Sequence, residues 1–395
     1  MTLDDPPENR HEDSTELKLA TLISLHPELD QSLLLDLLIS AEGSVHRVLA
    51  SLEPTDGRDQ SRKRSAAGVG HQTSLSAFTP AALSSSPSKK RQVLTKKGDT
   101  LHLYSPEDIA SNTPCSIIHN FLPSNEADQL LEELLEESLT YERQSFKLFD
   151  NVVQSPHSAC FYVDSLDDIK SQKTEFLYNG SHLADVRQIT PGMRMISAKV
   201  EAAVNEEIAT RIERFHGGKK LRYQSPHRWK PNAAFCNLYQ GGSESVGYHS
   251  DQLTYLGPRA VIGSISLGVA REFRVRRIVA RDDASQQDSK DQRANVEGQI
   301  AIHLPHNSLL VMHAEMQESW KHSIHPAPVI DPHPLAGNKR INITYRHYRD
   351  SFHPRYTPRC RCNVATVLRC VQRKHENLGR YMWMCHAGNA PEKHG

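Results

Sequence analysis

The chain is 395 residues long, beyond the usual size of one domain, so two or three folded units joined by linkers are expected. Its 47 Lys and Arg cancel its 47 Asp and Glu, which excludes a uniformly basic protein, and no apolar run approaches the roughly 20 residues of a bilayer span. With neither a basic nor an apolar leader in its first residues, a soluble, non-secreted protein without a membrane partner is expected; four of its seven cysteines (Cys360, Cys362, Cys370, Cys385) fall near the end, fitting a reduced compartment with a local metal site better than a disulfide framework.

The charge is unevenly spread: −9 over residues 1–60, +7 over 61–100, −8 over 101–150, +4 over 151–350 and +6 over 351–395. Residues 16–52 carry apolar side chains at helical spacing in three short runs, broken at His26-Pro27 and Glu42-Gly43, which predicts a small three-helix bundle. With its leucine-rich first two runs and Val-x-x-Val-Leu third, the segment resembles a CUE-type domain over 14–53, and the resemblance implies ubiquitin as a partner.

From Pro54 to about Thr100 the composition turns to Ser, Pro, Ala, Gly and Lys/Arg, with too little apolar surface to offset the entropy of ordering. Residues 54–100 are therefore expected to be a disordered basic linker. Its clusters Arg62-Lys63-Arg64 and Lys89-Lys90-Arg91 read as a nuclear import signal or a loose phosphate contact, and a nuclear location is expected. Between them, Gln72–Phe78 has Gln, an aliphatic at the fourth place and an aromatic at the seventh, and resembles a PCNA-interacting peptide; Thr79 stands where a second aromatic would complete it.

Residues 101–350 are predicted to form the main domain. Glu126–Ser138 is an amphipathic acidic helix and Gly192–Phe215 a second long one. Short strands follow at Ala233–Tyr239, Val261–Leu267, Glu272–Val279, Gln299–Leu304, Ser308–Met312 and Ile341–Tyr348, giving an α+β unit built on a β-sandwich or open barrel. Within it, His249-x-Asp251 on an extended segment turns an imidazole and a carboxylate to one side. With His322 from a distant strand they make a two-histidine, one-carboxylate face of the kind that holds non-haem Fe(II). Arg340, Asn342, Thr344 and Arg346 alternate with Ile341, Ile343 and Tyr345, and so many polar groups on an inward face would be costly without a ligand. Arginine's paired donors suit a carboxylate, and Asn237-x-Tyr239 adds a second polar pair.

Asn237-x-Tyr239, His249-x-Asp251, Ser264–Gly268 followed by Arg271-Glu272-Phe273, Ser308-Leu309-Leu310-x-Met312, Trp320-x-His322 and Arg340-x5-Arg346 follow one another in the order found in AlkB-type Fe(II) and 2-oxoglutarate dependent dioxygenases, and the chain resembles the nuclear DNA-repair branch of that family. The resemblance implies a double-stranded β-helix (jelly-roll) core with an N-terminal nucleotide-recognition lid. It also implies the use of Fe(2+), 2-oxoglutarate and O2 to demethylate N-alkylated DNA bases, single- or double-stranded, with release of succinate, CO2 and formaldehyde. His249, Asp251 and His322 would then be iron ligands, with Arg340, Tyr239, Asn237 and Thr344 on the co-substrate and Arg346 near its metal-side carboxylate. Alternatives are an RNA or protein demethylase of the same mechanism, or a binding adaptor with an inactive core. A monomer is expected.

An alkylated base lies inside the stack, so the enzyme takes single strands or extrudes the nucleotide, and an apolar wedge can fill the gap. By the resemblance, Leu148 and Phe149 stand where duplex-acting relatives carry such a finger, Tyr178 in the lid would stack the flipped base against His249, and Gln252 would meet the base edge where relatives carry acidic residues. Arg271, Arg274, Arg276, Arg277 and Lys219-Lys220-Leu221-Arg222 are candidate phosphate contacts. In the tail, Cys360-x-Cys362 and Cys385 after Gly379–Met384 resemble a partial GRF-type zinc finger over 355–395, which implies Zn(2+) and single-stranded DNA; Cys370, His375, His386 and His394 are candidates for its fourth ligand.

Overall fold

The computed structural model describes residues 100–148, 151–178, 181–279, 298–372 and 374–385, together with Leu22, Leu34, Leu38, Ser44, Val45, Arg47 and Val48. The chain divides into two compact units, Met1–Lys90 and Arg91–Gly395. In the first, Leu22, Leu34, Leu38 and Val48 are helical and fully buried. Apart from these four and Ser44, Val45 and Arg47, the residues of 14–53, the linker up to Asp99 and the Gln72–Phe78 peptide lie outside the described residues.

The second unit contains five α-helices among its described residues: α1 (Pro106–Asn112), α2 (Ser124–Glu137), α3 (Leu166–Thr174), α4 (Pro191–His216) and α5 (Met316–Ser319). Its strands are β1 (Thr100–Leu103), β2 (Cys115–His119), β3 (Glu142–Leu148), β4 (Asn151–Val163), β5 (Val186–Gln188), β6 (Ala233–Gln240), β7 (Val246–His249), β8 (Ile262–Gly268), β9 (Arg271–Arg277), β10 (Gln299–Leu304), β11 (Ser308–Met312), β12 (Trp320–Ile324), β13 (Lys339–Arg346), β14 (Val367–Cys370) and β15 (Tyr381–Met384). The larger sheet runs β2-β11-β8-β13-β6-β4-β3 with β5 beside β4, and the smaller runs β1-β10-β9-β12-β7. From β6 to β13 the chain divides its strands between these sheets, β6, β8, β11 and β13 in one and β7, β9, β10 and β12 in the other. This is a two-sheet jelly-roll pattern.

Burial explains the sequence of each layer. All seven residues of β8 are buried, so its alternation of Ile and Leu with Gly and Ser separates two occupied faces rather than core from solvent. On one side Ile265 and Leu267 join Ile341, Ile343 and Tyr345 of β13 under Leu130 and Leu134 of α2 and Met193, Ile196 and Val200 of α4. Helix α4 is stopped cleanly at both ends: Thr190 accepts from the Met193 N–H with Pro191 following, and Gly217 closes it in the left-handed conformation. Between the sheets, Phe273, Val275, Ile302, Leu304, Leu310, Met312 and Ile324 form the second core.

The described residues of 355–385 do not stand apart from this unit. Strands β14 and β15 pair as a hairpin, and Leu368 is buried in the inter-sheet core. The Leu368 N–H donates to Thr254 Oγ1 at 3.2 Å, and the Tyr381 hydroxyl donates to Glu318 Oε1 at 2.8 Å.

At the end of β8, Gly268 has φ +82°, and a Cβ there would strike the Lys339 carbonyl as β13 begins. Gly268→Ala is therefore expected to lower stability by about 3 kcal/mol, read as a shift in urea midpoint. Gly217→Ala, where nothing crowds the added carbon, is expected to cost only about 1–2 kcal/mol.

Candidate active site

A cavity of about 200 Å³ holds both constellations singled out in the sequence, His249, Asp251 and His322 together with Asn237, Tyr239, Arg340, Asn342, Thr344 and Arg346. The 72 residues between the histidines are closed by one strand pair: β7 and β12 run antiparallel with His249 directly opposite His322, their ring centroids 4.2 Å apart. Asp251 lies two residues beyond the end of β7, where its own N–H donates to Gln317 Oε1 at 2.7 Å. Its Oδ1 is 3.8 Å from His249 Nε2 and 3.5 Å from His322 Nε2, and the three ligand atoms lie within 4.8 Å of one another.

The protonation states suit a cation. His249 Nδ1 sits 2.8 Å from the Gly247 carbonyl oxygen; a carbonyl only accepts, so Nδ1 carries the proton and Nε2 faces the cavity with a lone pair. Burial, reinforced by the neighbouring His322, lowers the His249 pKa to about 4, so the ring is neutral at pH 7. Burial opposes the charge on Asp251, yet Arg346 overcomes it: Nε and Nη2 donate to Oδ2 at 2.9 and 2.8 Å and hold the carboxyl well below the usual range. One carboxylate oxygen is thus committed to Arg346 and the other to the imidazoles.

The polar face of β13 is as its period-two alternation predicts, with Ile341, Ile343 and Tyr345 in the helix-covered core. Arg340 is 1% exposed. Its Nη1 donates to Asn342 Oδ1 at 3.2 Å and its Nη2 to Ser266 Oγ at 2.9 Å, while Nε is buried without an acceptor. Burial lowers its pKa to about 10, so the guanidinium stays charged at neutral pH. Among the described residues no carboxylate forms an ion pair with it, and an uncompensated buried charge marks a place for an anion. Asn342 Nδ2 donates to Thr344 Oγ1 at 2.8 Å, and Tyr239 lies under the Arg340 guanidinium, 5.3 Å from ring centroid to Cζ.

Three further residues complete the site; of these Phe273 stands in the Arg271-Glu272-Phe273 motif without a site role assigned there, and His157 and Gln317 have no signal in the sequence. His157 of β4 lines the cavity, places Nε2 3.1 Å from Asn237 Oδ1 and stacks on Tyr239 at 4.8 Å. Phe273 stacks on His322 at 5.3 Å. Gln317 fixes the Asp251 backbone. Only the fold brings His157 and Gln317 to this place.

Several expected contacts take other positions. Tyr178 does not line the cavity: its hydroxyl is bonded to Gln172 and Tyr348 at 2.9 Å each, and its ring packs against Phe161 and Tyr255. Gln252 turns to Thr254 Oγ1 at 3.2 Å. Leu148 ends β3 opposite Asn151 at a hairpin tip, while Phe149 lies outside the described residues. Arg271 is buried, because its guanidinium donates to the carbonyls of Gly241, Gly242, Glu244 and His325; it is a loop clamp with no face left for phosphate. Arg274 is paired with Glu272. In the tail, Cys385 Sγ lies 3.3 Å from Cys360 Sγ and 3.5 Å from Cys362 Sγ, with Cys360 and Cys362 bonded to each other. Cys370 is outside this group, its Sγ turned to the Val371 carbonyl; nothing is described of the His375 side chain, and His386 and His394 lie outside the described residues.

Residues 114–346 match the family model of the 2OG-Fe(II) oxygenase superfamily. The chain is 32% identical over 124 residues to "DNA oxidative demethylase ALKBH2" of Arabidopsis thaliana, covering 29% of this chain and 37% of that protein. It is 31% identical over 115 residues to "Alpha-ketoglutarate-dependent dioxygenase alkB homolog 3" of Bos taurus, covering 29% of this chain and 36% of that protein. The matched stretch thus spans little more than a third of these curated relatives. The solved structure described as "The structure of OsALKBH1" aligns with 60% of this chain and 98% of its own at 16% identity and a TM-score of 0.37.

In metal-free protein, Arg346→Met leaves the buried Asp251 carboxylate without its counter-charge and is expected to cost about 3–5 kcal/mol at pH 7. The lowered wild-type pKa adds stability that is present above about pH 4 and is lost as pH falls further. In the variant the carboxyl instead gains from protonation. The gap between the two proteins should narrow from pH 7 to pH 4, and urea unfolding at both values measures it.

Proposed function

The chain belongs to the 2OG-Fe(II) oxygenase superfamily, and on that footing we propose that its cavity carries out oxidative demethylation of N-alkylated bases in DNA. The family uses Fe(2+), 2-oxoglutarate and O2, and the residues present fit them. His249 Nε2, His322 Nε2 and Asp251 Oδ1 converge as an N2O set, and the Arg340 guanidinium, which has no carboxylate partner among the described residues and an Nε without an acceptor, suits a dicarboxylate. One observation carries the reading: the ligand set and the buried cation share a single cavity. When bound, iron supplies the activation of oxygen that drives the oxidation.

The roles of the chain's own groups follow from where they stand. His249, Asp251 and His322 hold the ion, and Gly247 and Arg346 keep the first two in the tautomer and charge state that bind it. Arg340 takes the far carboxylate of 2-oxoglutarate, with Tyr239, Asn237 and Thr344 orienting its chain and Arg346 on the metal side. Phe273, Leu304, Met312 and Ile324 keep the walls of the cavity apolar and exclude water from it.

The choice of a base in DNA draws on the name of the Arabidopsis relative and on the positive charge of the tail. Leu148 and Phe149, at the end of β3 and just beyond it, are the wedge residues in this reading. Ubiquitin binding by 14–53, PCNA binding by Gln72–Phe78 and a nuclear location rest on sequence pattern alone. Zinc binding by the tail has the further support of three converging sulfurs, and it requires Cys360 and Cys362 as free thiolates rather than bonded to each other.

With Fe(2+), 2-oxoglutarate and methylated single- and double-stranded DNA oligonucleotides, the full chain should release formaldehyde and succinate in equal amounts. Turnover confined to methylated RNA or to protein would overturn the substrate assigned while keeping the chemistry. His249→Ala should abolish turnover and leave DNA binding largely intact. Arg340→Ala should raise the KM for 2-oxoglutarate by about 10²-fold, the value of a charged hydrogen-bonded pair, with the KM for DNA little changed; steady-state kinetics separates the two.

A further inference from the structure

On the other side of β9 from the cavity, two more histidines meet a second carboxylate. Strand β9 turns Phe273 inward against His322, so the period of two sends Glu272 to the outer face. Glu272 lies directly across the ladder from His303 of β10, and the parallel pairing of β1 with β10 brings His102 alongside. His102 Nδ1 is 3.0 Å from His303 Nε2 and 3.8 Å from Glu272 Oε1, and the three ligand atoms lie within 4.8 Å of one another.

We propose that His102, His303 and Glu272 form a second metal site, for a divalent ion of the Zn(2+) type, separate from the cavity. Three features carry it. Bonds of about 2.0–2.1 Å in a tetrahedron set neighbouring donors about 3.3–3.4 Å apart, and the observed separations of 3.0 and 3.8 Å bracket that value. The carboxylate is divided as Asp251 is: Arg274 holds Oε2 through Nε at 2.8 Å and Nη2 at 2.7 Å, which leaves Oε1 toward the rings. The Tyr104 ring stacks on His303 at 4.3 Å and 11°, fixing the plane of one ligand. Two imidazole nitrogens 3.0 Å apart share at most one proton between them, whereas a divalent ion gives both lone pairs a partner. The ion would clip β1, the edge strand of the smaller sheet, to β10 and β9, and solvent would supply the fourth position.

The test uses the full chain, stripped with chelator and re-equilibrated with Zn(2+), with zinc per chain measured by elemental analysis and located by anomalous diffraction at the zinc edge. The His249 set and the tail cysteines are also able to take zinc in this experiment, so the readout is a difference. His102→Ala/His303→Ala should lose one equivalent relative to wild type and the anomalous peak beside Glu272. His249→Ala/His322→Ala should keep that peak. Iron-dependent 2-oxoglutarate turnover by His102→Ala/His303→Ala should match wild type. Equal zinc content in wild type and His102→Ala/His303→Ala, with no peak beside Glu272, overturns the proposal. Should that double variant misfold, Glu272→Gln decides the matter, with at least tenfold weaker zinc binding at this position expected and unchanged binding overturning it.

Discussion

The site depends on how one carboxylate is shared. Asp251 is almost wholly buried, where an unpaired charge would not persist. Arg346 takes one oxygen with two donors, and the other faces His249 and His322. Because Arg346 is the last residue of β13, and His249 and His322 are paired across β7 and β12, this carboxylate joins both sheets of the sandwich. Register in either sheet is therefore tied to the ligand geometry: a slip of one residue in β13 would turn Arg346 away and replace the polar face with Ile and Tyr.

The legible parts of the chain were those where a pattern repeats over several residues. The alternation from Arg340 to Arg346 carries its strand, its two faces and its ligand-facing role in a single stretch, and the long helices were readable within two residues of each end. Single residues gave less. His157 reaches the cavity only because β4 adds to the sheet beside β6, a pairing between segments some 75 residues apart that no local pattern encodes. Arg271 has the composition of a phosphate ligand and the environment of a structural clamp, a difference set by four carbonyls contributed by the turn after β6 and by His325. Tyr178 likewise reads as a lid aromatic in sequence, while the ring stack it joins is assembled from Phe161, Tyr255 and Tyr348, which come from three other segments.

The tail changes from an appendage in sequence to a supporting layer in the fold. Glu318 of α5 is buried and accepts from the Arg259 N–H and the Tyr381 hydroxyl through one oxygen, while burial raises its pKa. The next residue toward the N-terminus, Gln317, holds the Asp251 backbone, and its carbonyl accepts from Gln372. The short helix α5 thus has the metal-ligand loop on one side and the β14–β15 hairpin on the other. The segment whose cysteines suggest zinc also braces the turn that carries Asp251, which gives the tail a structural role whatever its sulfurs bind.

Strand order also governs how the protein is made. Strand β13 sits between β8 and β6, yet it is the last of the jelly-roll strands to leave the ribosome. Until Arg346 has emerged, β8 and β6 face each other across an open slot, each with an unpaired edge of backbone donors and acceptors. The nascent chain therefore exposes two sticky edges for as long as it takes to add the 70 residues between β8 and β13. The strand that closes the slot is the one that brings Arg340 and Arg346, so completion of the sheet and completion of the site are the same event, and no partly synthesised chain can hold a working centre.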